Sequence, residues 1–130
     1  MVIDTSALVA ILRDEPERSD FNRAIDAADT RVLSVASFLE TSMVIDSRHG
    51  PDGVRDLDLF IAKADIDLMS VDADQAYVAR AAFRSYGKGR HPAGLNFGDC
   101  FAYALAKTSG EPLLFKGSDF PQTDITAVSS

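Results

Sequence analysis

Val2-Ile3-Asp4-Thr5-Ser6 is the stretch from which the fold can be predicted. Its two apolar residues are typical of a short buried strand, and the carboxylate of Asp4 follows them at once. Thr5 and Ser6 favour a helix start, because their hydroxyls can accept hydrogen bonds from free backbone N–H groups. In open α/β sheets the ligand crevice lies at the carboxyl ends of the strands. The stretch therefore predicts a polar site that includes Asp4.

The rest of the chain alternates short apolar runs with longer stretches of helical periodicity. Further strands are predicted at 31–34, 66–71, 113–115 and, at the sheet edge, 124–128. Helices are predicted at 6–13, from a restart at 14–17, and at 35–48, 52–64, 72–83 and 97–109. This alternation predicts an α/β fold with a mainly parallel sheet of four to five strands and helices on both faces.

The apolar stripes of the helices predict which side chains pack in the core. In the helix at 35–48 these are Val35, Phe38, Leu39 and Met43, and in the last helix they are Phe97, Phe101, Tyr103 and Leu105. We expect Cys100 to be a small core residue and not a nucleophile. Asp72 and Gln75 have the spacing of a capping box.

The length and composition indicate one globular domain over residues 1–130. A single cysteine excludes an intrachain disulfide, which fits a reducing cytoplasm. The net charge of -7 argues against non-specific capture of nucleic acid and is compatible with carboxylates that hold cations, or with a basic partner. No apolar run approaches the ~20 residues of a membrane span, and Asp4 makes the N-terminal run unlike a signal peptide.

Four acidic residues occupy places that this fold would bring together. Asp4 ends the first strand, Glu40 lies about two turns into the third helix, Asp99 opens the last helix and Asp119 follows the fourth strand. Each also has an ordinary structural explanation, such as a first-turn acid for Asp99 or a turn residue for Asp119. The functional interpretation rests on the set. A cluster of carboxylates without histidine or cysteine suits Mg²⁺ or Mn²⁺, and such ions support displacement at phosphorus.

Four segments resemble PIN-domain ribonucleases and, more narrowly, the VapC toxins of type II toxin–antitoxin systems. They are Val-Ile-Asp-Thr-Ser-Ala at 2–7, Glu40, Leu-Asn-Phe-Gly-Asp-Cys at 95–100, and Leu-Leu-Phe-Lys-Gly-Ser-Asp-Phe at 113–120. The resemblance covers essentially the whole chain in the same order. The opening motif and the Asn-Phe-Gly-Asp-Cys motif are specific in combination, whereas either alone is weak.

The resemblance implies a PIN-like α/β/α sandwich and a Mg²⁺- or Mn²⁺-dependent endoribonuclease that cleaves RNA phosphodiester bonds with metal-activated water. The acidic residues of the family carry over to Asp4, Glu40 and Asp99 as metal ligands and catalytic residues. Many relatives have the fourth acid where this chain has Gly117, so Asp119 is assigned as the fourth. The resemblance also implies a homodimer and a cognate VapB antitoxin that inserts a basic residue near the acidic pocket.

Several features keep two interpretations. Five residues, Arg80, Arg84, Lys88, Arg90 and His91, either contact RNA phosphates beside the metal site or form a solvated helix face and loop. Thr5 and Ser6 either cap the first helix or orient a ligand or water.

His49 and His91 lie in predicted loops, where a surface role is favoured over that of a general base.

Two other functions are compatible with a small acidic α/β domain: a phosphoryl-receiving signalling domain, and a non-catalytic RNA- or protein-binding module. The first is disfavoured because the first strand ends in a single acid and Asp72 is better explained as a helix cap.

Overall fold

The computed structural model describes residues 1–128, in which four short strands form one parallel sheet between helices. The strands are β1 (Val2–Ile3), β2 (Val32–Ser34), β3 (Asp67–Met69) and β4 (Leu113–Leu114). The helices are α1 (Thr5–Leu12), α2 (Arg18–Ala27), α3 (Val35–Lys63), α4 (Ala73–Tyr86) and α5 (Phe97–Ser109). The strand order β3-β2-β1-β4 places β1 between β2 and β4, so the end of the first strand lies at the middle of one sheet edge.

The two faces of the sheet are covered by different helices. Val2 and Leu113, which are paired across β1 and β4, pack into a core with α4 and α5. Ile3 and Leu114, one residue further along, point to the other face and pack with α1, α2 and α3. Successive strand residues point to opposite faces, so a sheet buried on both sides needs continuous apolar runs. The predicted three-layer α/β/α arrangement is confirmed.

The predicted edge strand at 124–128 is reduced to a single bridge. Leu113 donates its N–H to the Thr126 oxygen (2.9 Å) and accepts the N–H of Val128 (3.1 Å), which pairs Leu113 with Ala127. Among residues 1–128 these bonds make one parallel bridge to β4 and no fifth strand. The segment reaches β4 from a 3₁₀ turn over Phe120–Gln122, so it runs beside the sheet for only a few residues.

The two helices predicted at 35–48 and 52–64 form the single element α3, which is interrupted at Gly50. Gly50 has φ 64° and ψ -159°, a conformation that is essentially restricted to glycine. Pro51 follows it and has no backbone N–H to donate. The predicted break is therefore confirmed as a local interruption, while helical hydrogen bonding resumes on its far side.

The predicted core stripe of α3 is wrong at three of its four positions. Val35, Leu39 and Met43 are exposed, with Met43 at 62%, and only Phe38 packs against the core. The buried stripe runs instead through Ser37, Thr41 and Ile45. Two of these side chains are polar, so a pattern that scores only apolar residues selects the opposite face.

The assignment of Phe97 to the core is also wrong, because its side chain is 79% exposed. It lies in the first turn of α5, where its ring meets that of the partly buried Phe101 edge-on, with 4.9 Å between the ring centres. Tyr103, Leu105 and Cys100 are buried as predicted. Helical spacing identifies the apolar residues of a helix, but the first turn of α5 projects beyond the layer that would cover them.

The helix starts agree with the sequence in position and differ in detail. Asp4, rather than Thr5 or Ser6, caps α1. Asp72 caps α4 by accepting the N–H of Gln75 at 2.8 Å. The Gln75 side chain does not complete a capping box, because its amide donates to the Ser70 oxygen.

In the part of the chain that the structure describes, no helix is long and apolar enough to cross a membrane.

Candidate metal centre

Asp4 is buried at the carboxyl end of β1, and its side chain is held by Ser6. Asp4 Oδ2 accepts hydrogen bonds from the Ser6 backbone N–H (3.0 Å) and from the Ser6 hydroxyl (2.6 Å). The same hydroxyl accepts the backbone N–H of Lys116 at 2.9 Å, just beyond β4. Ser6 therefore joins the carboxyl ends of two neighbouring strands and fixes the orientation of the Asp4 carboxylate.

The surroundings of Asp4 shift its pKa in opposite directions. Burial raises the pKa of Asp4 above its ordinary value of 3.8, and the charge of Glu40 raises it further. The hydrogen bonds from Ser6 lower the pKa, because they stabilise the charged form. A buried carboxylate close to a second one is costly unless a cation or a proton joins them. The charge state of Asp4 therefore depends on that of Glu40.

Thr5 serves a different purpose from its neighbour Ser6. Its hydroxyl donates to the backbone oxygen of Ser37 at 3.2 Å. The Thr41 hydroxyl lies 3.1 Å from the Thr5 hydroxyl and 2.8 Å from the same Ser37 oxygen. These buried contacts tie the start of α1 to the part of α3 that carries Glu40. Of the two hydroxyls left open by the sequence, Ser6 supports the acidic site and Thr5 supports helix packing.

Glu40 lies against Gly98, in the first turn of α5. A Cβ atom built on Gly98 would lie 2.0 Å from Glu40 Oε2 and 2.6 Å from its Cδ. Such distances mean that the carboxylate occupies the space that a side chain at position 98 would fill. The contact brings Glu40 from α3 to the turn of α5 that also carries Asp99.

Asp99 is half-buried and belongs to a complete capping box at the start of α5. Its backbone N–H donates to Asn96 Oδ1 at 2.9 Å, and its Oδ2 accepts the Asn96 backbone N–H at 3.1 Å. Burial raises the pKa of Asp99 to about 6, and the hydrogen bond from Asn96 opposes that rise. The charges of Asp4, Asp119 and Glu40 contribute to the same rise. The charges of the other three predicted acids therefore all act on Asp99.

Asp119 is the most exposed of the four and lies just before the 3₁₀ turn that follows β4. Its backbone oxygen accepts the N–H of Gln122, and its side chain makes no capping hydrogen bond. Gly117 has φ 116°, so the turn before Asp119 takes a conformation that favours glycine. Its charge acts on Asp99, which places it at the edge of the acidic group.

The chemistry of this group suits a hard divalent cation, since all four donors are carboxylate oxygens. Within residues 1–128, no three histidine, cysteine or acidic side chains are arranged closely enough to hold an ion as they stand. Mutual repulsion of like charges favours such spacing. Among the hydrogen bonds of the described residues, none engages the carboxylates of Glu40 or Asp119, whereas Asp4 and Asp99 are held by hydrogen bonds.

The surroundings of the two histidines and of Cys100 do not favour a catalytic role. His49 lies in α3 and not in the predicted loop, and it is exposed. His91 Nδ1 accepts the backbone N–H of Ala93 at 3.0 Å. Cys100 is buried, and burial together with the charge of Asp99 raises its thiol pKa to about 11. A thiol with so high a pKa is a poor nucleophile, which agrees with the core role predicted for Cys100.

Two of the predicted basic residues stack on aromatic rings at the surface of α4. The Arg80 guanidinium lies 5.0 Å from the centre of the Tyr77 ring, and that of Arg90 lies 5.4 Å from the centre of the Phe83 ring. Cation–π contacts at exposed sites are weak and leave the charges available to other partners. Contact with RNA phosphates stays a prediction for this face.

Two contributions to this site were not predicted from the sequence: the close approach of Gly98 to Glu40 and the hydrogen bond from Lys116 to Ser6. A glycine inside a predicted helix is a signal for the first, because glycine there weakens a helix unless close packing requires it. The second joins residues 110 positions apart and has no local signal.

The fold and its acidic sheet edge define the PIN-domain class, and the PIN domain family matches residues 1–125. "VapC ribonuclease Mb0640" of Mycobacterium bovis is 60% identical over 129 residues, covering 99% of this chain and 98% of the relative. "Ribonuclease VapC" of Mycolicibacterium smegmatis is 60% identical over 128 residues, covering 98% and 99%. The chain belongs to the VapC ribonucleases of the PIN-domain family.

Solved structures of lower sequence identity share the fold. Mycobacterium tuberculosis VapC20, described as a "Sarcin-Ricin loop cleaving toxin", superposes with a TM-score of 0.79 at 16% identity, covering 99% of this chain and 98% of its own. VapBC2 from Rickettsia felis, bound to a DNA fragment from its promoter, gives a TM-score of 0.74 at 12% identity, covering 98% and 96%. At these identities the agreement concerns the architecture alone.

Proposed function

We propose that the chain is a Mg²⁺- or Mn²⁺-dependent endoribonuclease, the toxin of a VapBC-type toxin–antitoxin pair. The observation that carries this proposal is the convergence of acids from separate parts of the chain: Ser6 joins Asp4 to the segment after β4 that leads to Asp119, and Glu40 lies against the turn of α5 that carries Asp99. The high identity to VapC ribonucleases over nearly the whole chain supports RNA cleavage as the reaction.

Asp4, Glu40, Asp99 and Asp119 are proposed to hold one or two divalent cations and to act as the catalytic residues. Asp4 and Asp99 supply fixed carboxylates, because Ser6 and the Asn96 backbone hold them. Glu40 supplies a carboxylate that lies against Gly98, and Asp119 supplies an exposed one. When bound, a divalent cation makes a coordinated water more acidic and stabilises charge that develops at phosphorus. The carboxylates would also be relieved of their mutual repulsion.

The proposed partners follow from charge and from exposed apolar surface. A VapB-type antitoxin that offers a basic residue to the acidic pocket would complement the net charge of -7. Leu39, Met43 and Phe97 are exposed on α3 and α5, and apolar side chains of this kind support a homodimer or antitoxin contact. We propose that residues 1–130 act as a single PIN domain in the cytoplasm.

The alternative of a phosphoryl-receiving domain gains no support. Asp72, the acid that follows the third strand, uses its side chain to cap α4. A non-catalytic module of the same fold remains an outcome of the experiment below.

The test is cleavage of total bacterial RNA by the purified chain in Mg²⁺, in Mn²⁺ and in EDTA. Asp4→Asn should abolish cleavage while circular dichroism shows an intact fold, and Asp119→Asn tests the fourth ligand. Asp58→Asn is the matched control, because Asp58 is exposed beyond the interruption of α3. Wild-type rates in Asp4→Asn would refute the assignment, and RNA binding without cleavage by the wild type would identify a binding module.

A further inference from the structure

We propose that Gly98 is a positioning residue that sets the place of the Glu40 carboxylate. This inference rests on the proposed function and deepens it, because it adds a residue that holds no ion and touches no substrate. Its role is to leave room on α5 for a side chain that comes from α3.

The three atoms nearest to a Cβ at position 98 all belong to one carboxylate. They are Glu40 Oε2 at 2.0 Å, Cδ at 2.6 Å and Oε1 at 2.7 Å. Contacts of this kind lie far inside the sum of the van der Waals radii. Any side chain at position 98 therefore requires the Glu40 carboxylate to move away from the first turn of α5, and so to change its distance from Asp99.

The backbone does not explain why glycine stands at this position. Gly98 lies within α5 and is not among the glycines with positive φ, so its conformation is open to every residue. Alanine forms helices more readily than glycine. The close approach of Glu40, and not the backbone conformation, is thus the feature that accounts for glycine here.

The consequence is a separation of stability from activity. The three atoms nearest to a Cβ at position 98 belong to the flexible end of Glu40, which can rotate away without disturbing α5. Gly53 in α3 is the opposite case, because a Cβ there would lie 2.6 Å from His49 Cβ and 2.8 Å from Ile45 Cγ2. Those atoms are fixed close to the backbone, so Gly53→Ala strains the helix and leaves the acidic site alone.

The experiment measures Mn²⁺ affinity by calorimetry, RNA cleavage as a function of Mn²⁺ concentration, and melting temperature. In Gly98→Ala we expect a melting temperature at or above that of the wild type and Mn²⁺ affinity weaker by about 10–100-fold, as when a residue that orients a ligand is lost. In Gly53→Ala we expect a lower melting temperature with unchanged Mn²⁺ affinity. Shortening the acid should partly compensate, so that Glu40→Asp costs less in the Gly98→Ala background than in the wild type.

The possible failures are distinguishable. If Gly98→Ala binds Mn²⁺ and cleaves RNA like the wild type, the positioning role is refuted while the proposed function stands. If the wild type neither binds Mn²⁺ nor cleaves RNA, the proposed function is wrong. The ¹³C chemical shift of the Glu40 carboxyl then decides the role of Gly98: a shift that differs between wild type and Gly98→Ala supports it, and an identical one overturns it.

Discussion

Replacing Asp99 by asparagine should make the metal-free protein more stable, although it removes a ligand. In the folded chain the Asp99 pKa is raised from 3.8 to about 6 by burial and by the neighbouring acids. Keeping this carboxylate ionised at neutral pH therefore costs free energy that the unfolded chain does not spend. The amide oxygen of asparagine can still accept the Asn96 backbone N–H, so the capping box of α5 is retained.

The magnitude follows from the size of that rise. A difference of about two pKa units at about 1.4 kcal/mol each corresponds to an upper limit of about 3 kcal/mol. Solvent screening at a half-buried group reduces the expected gain for Asp99→Asn to about 1–2 kcal/mol.

The sign of the pH dependence follows from proton binding. Between pH 4 and 6 the folded chain binds more protons at Asp99 than the unfolded chain does, so wild-type stability falls as pH rises through this range. The advantage of Asp99→Asn is therefore largest above pH 6 and disappears below about pH 4.

Urea unfolding in EDTA, followed by circular dichroism at pH 4 and pH 7.5, measures this effect. Asp58→Asn serves as the control and should show no pH-dependent gain. Added Mn²⁺ should stabilise the wild type and not Asp99→Asn, because only the wild type binds it well. The electrostatic reasoning would be refuted by an Asp99→Asn variant that is less stable than the wild type at pH 7.5. It would also be refuted if the free energy of unfolding differed from that of the wild type by the same amount at both pH values.

The remaining two predictions concern the support of Asp4 and the basic face of α4. Ser6→Ala removes the hydroxyl that donates to Asp4 and should cost about 1–3 kcal/mol in urea unfolding together with much of the RNA cleavage; a variant with unchanged cleavage would show that Ser6 does not position Asp4. If Arg80 and Arg84 contact phosphates, replacing both by alanine should reduce the slope of log binding constant against log salt concentration for RNA by about two. An unchanged slope would identify a solvated surface.

The parts of the fold that the sequence predicted are those with local causes. Alternating strand and helix patterns, the break near Gly50 and the cap at Asp72 depend on neighbouring residues, and all are present. The place of Asp4 was predictable because an acid directly after a buried strand must lie at the sheet edge. In each of these cases the determining residues lie within a few positions of one another.

The parts that were not predicted depend on contacts between distant segments. The buried face of α3 contains the polar residues Ser37 and Thr41, and the Thr41 hydroxyl bonds to Thr5 of α1, a contact that only the folded chain provides, so apolar periodicity selected the wrong stripe. The approach of Gly98 to Glu40 joins two helices through residues that are 58 positions apart in the sequence (98 − 40). Local patterns carry no information about such pairings.

The central claim, that Asp4 and its neighbours form the active site of an endoribonuclease, is tested most directly by mapping RNA 5′ ends in cells. The measurement compares total RNA after brief expression of the wild type and of Asp4→Asn, at equal amounts of folded protein. We predict new 5′ ends at a small set of sites with the wild type and none of them with Asp4→Asn. The same new ends in both samples, or none in either, would contradict the claim.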